Sequence, residues 1–122
     1  MKKRLIVASL LVALATSMSG EPTKTYYVYF LKFARKNAIK TGFTEAEKAV
    51  LAEHSRYHAR LAKEGTEIVG GPTLDADPTG IAIIKASSIE EAKEIMNADP
   101  TVAKRVMKAT LHPFEFAYGV CK

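Results

Sequence analysis

The sequence predicts an α+β domain with the ferredoxin-like β-α-β-β-α-β order, in which a four-stranded antiparallel sheet carries both main helices on one face. Three observations lead to this class. The chain has an aromatic, β-branched run near its start and an alternating aromatic run near its end, both typical of strands. Two helix-capping sequences stand between these runs. Between the two capped segments lie two short apolar runs separated by turn residues.

The first strand and the first helix are indicated by residue types and by one start and one stop signal. Residues 26–33 are mostly aromatic or β-branched and are apolar on both faces up to Lys32, as expected of a buried strand. Thr44 and Glu47 have the spacing of a capping box, so a helix is predicted to begin here. The helix is predicted to end near Gly65, since glycine readily adopts the left-handed conformation that follows many helices.

The middle of the chain predicts two strands and a second helix. Residues 66–70 and 80–86 are short apolar runs, and the connection 71–79 is rich in Gly, Pro, Asp and Thr. Ser88 and Glu91 then form a second capping-box sequence, followed by an apolar stripe at helical spacing. We therefore expect a strand pair followed by a helix from residue 89.

The last part of the chain predicts a short third helix and a closing strand. Asp99 followed by Pro100 is typical of a helix N-cap with proline at the first helical position. Residues 110–120 alternate in the manner of a strand. Both main helices are expected to cover one face of the sheet. Because the first strand is apolar on both of its faces, the second face of the sheet must also be covered. We expect a homodimer with the two sheets face to face.

The first twenty residues predict export. Three basic residues at positions 2–4 precede an almost unbroken apolar run at 5–15, and small residues follow at 13–20. This is the pattern of a secretory signal peptide, and the apolar run is well short of the roughly 20 residues of a membrane-spanning helix. We expect residues 1–20 to be the leader and 21–122 a single mature domain. The predicted location is periplasmic or secreted, with no stable membrane anchor after cleavage.

Charge and cysteine content narrow the choice of partners. Loss of the leader lowers the formal charge from +5 to +2, because 15 basic and 13 acidic residues remain. This weak, interspersed charge argues against nucleic acid or an anionic membrane surface as a partner. The lone Cys121 excludes an intrachain disulfide, and it is interpreted as an unpaired thiol, with pairing across a dimer as the alternative.

The first helix carries the strongest chemical signal. At about 100° per residue, Val50, Leu61 and His58 lie within about 40° of His54, so His54 is predicted on the buried face. Two interpretations stay open for His54: a core histidine whose hydrogen bonds are satisfied, or a functional one. His58 follows at i+4, a spacing that also suits two metal ligands. Because the helix offers neither an intervening Glu nor a nearby third ligand, we predict no metal site.

In these residues the chain resembles the YCII-related (YciI-like) domains of the dimeric α/β-barrel superfamily, over about residues 27–116. The matching pieces occur in order at the family's spacing: residues 54–57, Leu61, Gly65, Gly71-Pro72, residues 88–92, Asp99-Pro100 and Pro113-Phe114. The resemblance implies the ferredoxin-like fold, a dimer, and a pocket in which a His and an Asp act together. Carried onto this chain, those two residues are His54 and Asp99. The wider superfamily includes muconolactone isomerases, other small lyases and monooxygenases.

Each remaining candidate has a structural and a functional interpretation. Asp99 is fully explained as a helix cap, but a cap can also orient an imidazole ring. Gly71-Pro72 is either a turn or a place where the backbone approaches a ligand. His112 is interpreted as a surface or rim residue of the binding site. Tyr27 and Tyr29 are core or pocket-wall residues whose hydroxyls need partners if buried.

The chemistry that fits these residues is proton transfer. A neutral His54 can remove a proton next to a carbonyl or ring hydroxyl, with Asp99 fixing the tautomer and stabilising the imidazolium. We therefore predict an isomerase or lyase that needs no cofactor and acts on a small molecule. The alternative is a non-catalytic dimer that binds a small apolar ligand, and haem binding through His54 or His58 is a third possibility that rests on superfamily analogy.

Overall fold

The computed structural model describes residues 24–119, so the predicted leader and Cys121 lie outside the described residues. The elements in chain order are β1 (Thr25–Phe33), α1 (Ala38–Thr41), α2 (Glu45–Lys63), β2 (Glu67–Pro72), β3 (Gly80–Ala86), α3 (Ile89–Ala98), α4 (Pro100–Ala103) and β4 (Met107–Phe114). No helix in this part of the chain is long and apolar enough to span a membrane.

The four strands form one antiparallel sheet in the order β2-β3-β1-β4. β1 lies inside the sheet, where Tyr29 is opposite Ala82 of β3 and Leu111 of β4. This order and the helices α2 and α3 that connect the strands confirm the predicted ferredoxin-like α+β fold. Placing β1 between β3 and β4 brings residues from both ends of the chain together.

Alternation along the strands separates a helix-covered face from an open one. Tyr29 and Ile84 are fully buried on the covered face and pack with Ala92 of α3. The neighbouring residues Phe30 and Ile81 lie opposite each other on the other face, which the helices do not cover. The homodimer expected to cover this second face stays a prediction.

Helix α2 begins as its sequence predicts. Thr44 Oγ1 accepts a hydrogen bond from the Glu47 amide at 3.1 Å, and the Glu47 carboxylate accepts one from the Thr44 amide at 2.9 Å. The capping box therefore satisfies two amides that the helix itself cannot pair. Gly65 follows the helix with φ 77°, the left-handed conformation for which glycine is suited.

The second cap forms only in part, whereas the third forms as predicted. Ser88 Oγ accepts from the Glu91 amide, but the Glu91 carboxylate bonds the amide of Ser87 and not that of Ser88. Asp99 caps α4 by accepting from the Thr101 amide at 3.0 Å. Ser88 therefore still caps α3, and the Glu91 carboxylate hydrogen-bonds to the turn before the helix.

Element boundaries differ from the prediction where pairing decides them. β2 extends through Pro72, because Gly71 and Pro72 pair with the start of β3 and do not begin the turn. β4 begins at Met107 and ends at Phe114, earlier in the chain than the predicted range 110–120. Pairing with β1 sets these ends, because Met107 is opposite Phe33 and Phe114 is opposite Tyr26. The short helix α1 in the predicted loop was not foreseen.

Candidate functional site

Four side chains from three parts of the fold form a continuous hydrogen-bonded chain, which we call the His–carboxylate cluster: Glu67, His58, Asp99 and His54. Glu67 Oε2 lies 2.7 Å from His58 Nδ1, and His58 Nε2 lies 2.7 Å from Asp99 Oδ2. Asp99 Oδ1 lies 2.8 Å from His54 Nδ1. Carboxylates and imidazoles therefore alternate along the chain, at distances typical of charge-assisted hydrogen bonds.

Helix α2 positions both histidines. His54 and His58 are one helical turn apart, and their ring centroids are separated by 4.3 Å. Val50 and Leu61 on the same side of the helix are buried, and they hold this stripe toward the interior. His54 lies on this stripe as predicted, but its side chain is only partly buried, with 22% exposed.

The junction between α3 and α4 positions Asp99. Its side chain is fully buried, and Oδ1 accepts from the Thr101 amide and from Thr101 Oγ1 at 2.8 Å as well as from His54. Burial by itself raises the pKa of Asp99, but the hydrogen bonds from His54, His58 and Thr101 outweigh it and hold the pKa well below the usual range. Asp99 is thus an ionised carboxylate that caps a helix and contacts both histidines.

His58 is held as an imidazolium. Burial lowers the pKa of its ring, but the hydrogen bonds to Asp99 and Glu67 outweigh burial and raise the pKa to about 9. Each ring nitrogen faces a carboxylate oxygen, so each carries a proton and donates. The Tyr29 hydroxyl lies 3.3 Å from His58 Nε2, and burial followed by the nearby Asp99 charge raises the pKa of Tyr29.

His54 is the member of the cluster with a free ring nitrogen. Because an ionised Asp99 can only accept, the proton of a neutral His54 ring is on Nδ1. Nε2 then carries the lone pair, and within residues 24–119 it has no hydrogen-bond partner. This is the tautomer that a general base needs, with the basic nitrogen available to a ligand.

A cavity of about 660 Å³ lies beside the cluster, against α2 and β2. The polar side chains on its wall are those of His54, Ser55, His58 and Glu67. The rest of the wall is largely apolar and includes Leu31, Phe33, Ile39, Phe43, Leu51 and Met107. Asp99 lies behind the histidines and is not part of the wall. This arrangement, apolar with a few convergent polar groups, is typical of small-molecule sites.

The structure brings together some of the predicted site residues and separates others. His54, Asp99 and His58 are in direct contact, and Gly71 and Pro72 line the cavity. Two predicted binding residues lie elsewhere. Tyr27 belongs to the core beneath the helices and does not line the cavity. His112 lies across the sheet on the open face, with its ring 5.6 Å from that of Phe30, because β4 alternation directs it away from the helices.

Sequence reasoning did not find Glu67 or Thr101. Glu67 is the one charged residue in an otherwise apolar strand, and it is buried, with 8% of its surface exposed. A carboxylate in such a strand needs a partner, and that signal was available in the sequence. Thr101, whose amide and hydroxyl both bond Asp99 Oδ1, carries no comparable signal in the sequence.

Ligand atoms of His54, His58 and Asp99 all lie within 4.8 Å of one another. However, a metal needs a lone pair on each ligating nitrogen, and both nitrogens of His58 donate to carboxylates. The donor chemistry of the cluster therefore suits proton transfer better than metal binding.

The cluster and fold can be compared with known proteins. No curated protein matches the chain. A family model described as the YCII-related domain matches residues 26–114, which extend from β1 to the end of β4 and include all four members of the cluster. The match covers most of the chain, in agreement with the resemblance seen in the sequence. The chain therefore belongs to the YCII-related domain family.

Proposed function

We propose that the protein is an enzyme that moves a proton on a small molecule, as an isomerase or a lyase, with His54 as the general base. The observation that carries this proposal is the 2.8 Å contact between His54 Nδ1 and the fully buried Asp99 carboxylate, beside a cavity that His54 lines. A buried carboxylate that orients an imidazole is a recurrent arrangement for general acid–base chemistry.

The proposed steps use only groups of this chain. His54 Nε2 takes a proton from a carbon next to a carbonyl, or from a ring hydroxyl, of the bound molecule. The imidazolium that forms is stabilised by the Asp99 carboxylate on Nδ1. His54 then returns the proton to another atom of the substrate in an isomerisation, or to the departing group in an elimination. Either reaction course leaves the His54 ring neutral again.

The cavity supports a small, mostly apolar substrate. Its wall offers aromatic and aliphatic contacts from Phe33, Phe43 and Leu51, and its polar side chains gather around His54. Hydroxyaromatic compounds and lactones combine an apolar body with an acidic proton, so they are the first compounds to screen. Binding is detected by a rise in Tm, and turnover by a change in the absorption spectrum.

The test separates the role of His54 from its contribution to stability. His54→Asn keeps a polar side chain that cannot titrate near neutrality, so turnover is expected to fall by about 10²-fold or more with little change in fold. His112→Asn serves as the matched control, because His112 lies on the other face of the sheet, and light scattering checks that its assembly is unchanged. Equal turnover by both variants and the unaltered protein contradicts the proposal.

Substitutions at Asp99 test the pairing. Asp99→Asn and Asp99→Ser both keep a residue suited to an N-cap but remove the charge that orients His54. Each is expected to reduce turnover less than His54→Asn does. The double variant with His54→Asn is expected to lose little more than the His54 single variant, because two residues acting as one unit combine non-additively. Simple additive losses of stability alone would contradict a catalytic pair.

The second candidate is a protein that binds a small apolar ligand in the same cavity without converting it. The largely apolar wall favours this alternative. Compounds that raise the Tm and are recovered unchanged, with the same affinity for His54→Asn, would support it. The haem alternative is tested by the absorption spectrum of protein mixed with haem.

We also propose that the protein is exported and acts as a homodimer. Export is supported by the basic and apolar leader at residues 1–20. The dimer is supported by the open face of the sheet, where Val28, Phe30, Ile81 and Ile83 are neighbours. N-terminal sequencing of protein from a bacterial periplasm tests cleavage, and light scattering tests the dimer.

A further inference from the structure

Glu67 occupies a space that exists because residue 70 is a glycine. A β-carbon placed on Gly70 would overlap with Glu67 Oε1. By contrast, a β-carbon on the next residue, Gly71, would meet no atom within 4 Å. The neighbouring glycines thus differ: only Gly70 is required for the observed position of the Glu67 carboxylate, which bonds His58 Nδ1.

An irregularity in β2 places Glu67 and Gly70 on the same face. Regular alternation directs residues three apart to opposite faces of a strand. Here Glu67 is opposite Ile84 of β3 and Gly70 is opposite Ala82, with one extra residue between them on β2. Because Ile84 and Ala82 both face the helices, so do their partners. The bulge therefore directs the Glu67 carboxylate to the cavity side, where His58 lies.

The charged and titratable groups around His58 come from every neighbouring element. They are Tyr29 of β1, His54 and Tyr57 of α2, Glu67 of β2 and Asp99 at the junction of α3 and α4. Of these, Glu67 and Asp99 are the carboxylates, and each bonds one nitrogen of the His58 ring. The guanidinium carbon of Arg60 lies 5.3 Å from the centroid of the Tyr57 ring.

We propose that Gly70 leaves the space in which Glu67 reaches His58, and that Glu67, by bonding Nδ1 of that ring, keeps Nε2 aligned with Asp99 and so positions the carboxylate that orients His54. Glu67 and Gly70 are positioning residues, since they act through His58 and not on a ligand. The inference rests on the proposed function for its effect on turnover. The titration of His58 is measurable without a substrate.

The test follows the ring nitrogens by NMR of protein labelled with ¹⁵N-histidine, between pH 6 and 10. In the unaltered protein both nitrogens of His58 are expected to stay protonated up to about pH 9. Glu67→Gln keeps the size of the side chain but removes its charge, so the midpoint for His58 is expected to fall by about 1 pH unit or more.

Gly70→Ala and Gly71→Ala form a matched pair. The first is expected to shift the His58 midpoint in the same direction as Glu67→Gln, because the carboxylate must move away. It is expected to fold, since the atom that must move is the far end of a flexible side chain, and circular dichroism checks this. The second is expected to leave the midpoint unchanged.

His58→Gln tests the connection to His54. With the His58 ring removed, the ¹⁵N signal of His54 Nδ1, which reports the hydrogen bond to Asp99, is expected to shift. The inference is overturned if Glu67→Gln and Gly70→Ala leave the titration of His58 unchanged, or if His58→Gln leaves the His54 Nδ1 signal unchanged. Such results leave a general-base role of His54 intact. Conversely, the expected titrations together with normal turnover by His54→Asn would refute the proposed function alone.

Discussion

His58 makes the stability of the protein depend on pH in the neutral to alkaline range. The hydrogen bonds to Asp99 and Glu67 raise the pKa of His58 from 6.5 to about 9 against the effect of burial. A proton held more tightly by the folded state stabilises that state, so this contribution is complete below pH 6.5 and is lost as the pH rises through 9. At about 1.4 kcal/mol per pH unit, the contribution is about 3 kcal/mol.

The perturbation is His58→Gln, which removes the titrating ring while keeping a side chain that can hydrogen-bond to Asp99. Urea unfolding at pH 6, 7, 8, 9 and 9.5, at one ionic strength and one protein concentration, gives the free energy of unfolding of both proteins. The difference between them is expected to shrink by about 3 kcal/mol from pH 6 to pH 9.5. Titrating groups that do not contact His58 are common to both proteins and cancel.

His112→Gln is the control, because it makes the same substitution at a histidine outside the cluster, and light scattering checks that its assembly is unchanged. The effect of His58 is the change with pH that His58→Gln shows beyond that of His112→Gln. The reasoning is refuted if the difference for His58→Gln does not change with pH, since His58 then does not hold an additional proton in the folded state.

Three further predictions concern the core, the assembly and metal binding. Tyr29→Phe is expected to lower the free energy of unfolding by about 1 kcal/mol in urea, because the buried hydroxyl contacts His58 and Asp99; an unchanged value would show that these contacts contribute nothing. Light scattering at micromolar concentration is expected to give a dimer that Cys121→Ser leaves intact, and a stable monomer would contradict the face-to-face arrangement. Zinc analysis is expected to find less than one ion per chain and a chelator to leave the Tm unchanged, whereas stoichiometric zinc that stabilises the protein would refute the hydrogen-bonded interpretation of His58.

Local sequence signals predicted the elements well and the partners of polar side chains poorly. The capping box of Thr44 and Glu47 depends on residues three apart, so the start of α2 was predictable. The N-cap role of Asp99 was predictable for the same reason. Its contact with His54, 45 residues earlier, was implied only by the family resemblance, because periodicity within each segment does not determine how two segments pack.

Strand register explains where two other residues lie. His112 was predicted to line the binding site. The face that a strand residue occupies depends on pairing, and β4 pairs with β1 so that Leu111 faces the helices and His112 lies on the open face. Glu67 was missed because the bulge after it, which puts Glu67 and Gly70 on one face, is a property of the β2–β3 pair.

The sequence alone was sufficient for the ferredoxin-like element order, for the helical stripe that carries His54 and His58, and for the cap at Asp99. These depend on propensities and on contacts within about one helical turn, which the order of residues determines directly. Only the tertiary structure decided that Glu67 and Asp99 flank His58, and that the Nε2 atom of His54 is left for a ligand. Those contacts join residues on different elements, and their distances follow from sheet register and helix packing, which the entire chain determines together.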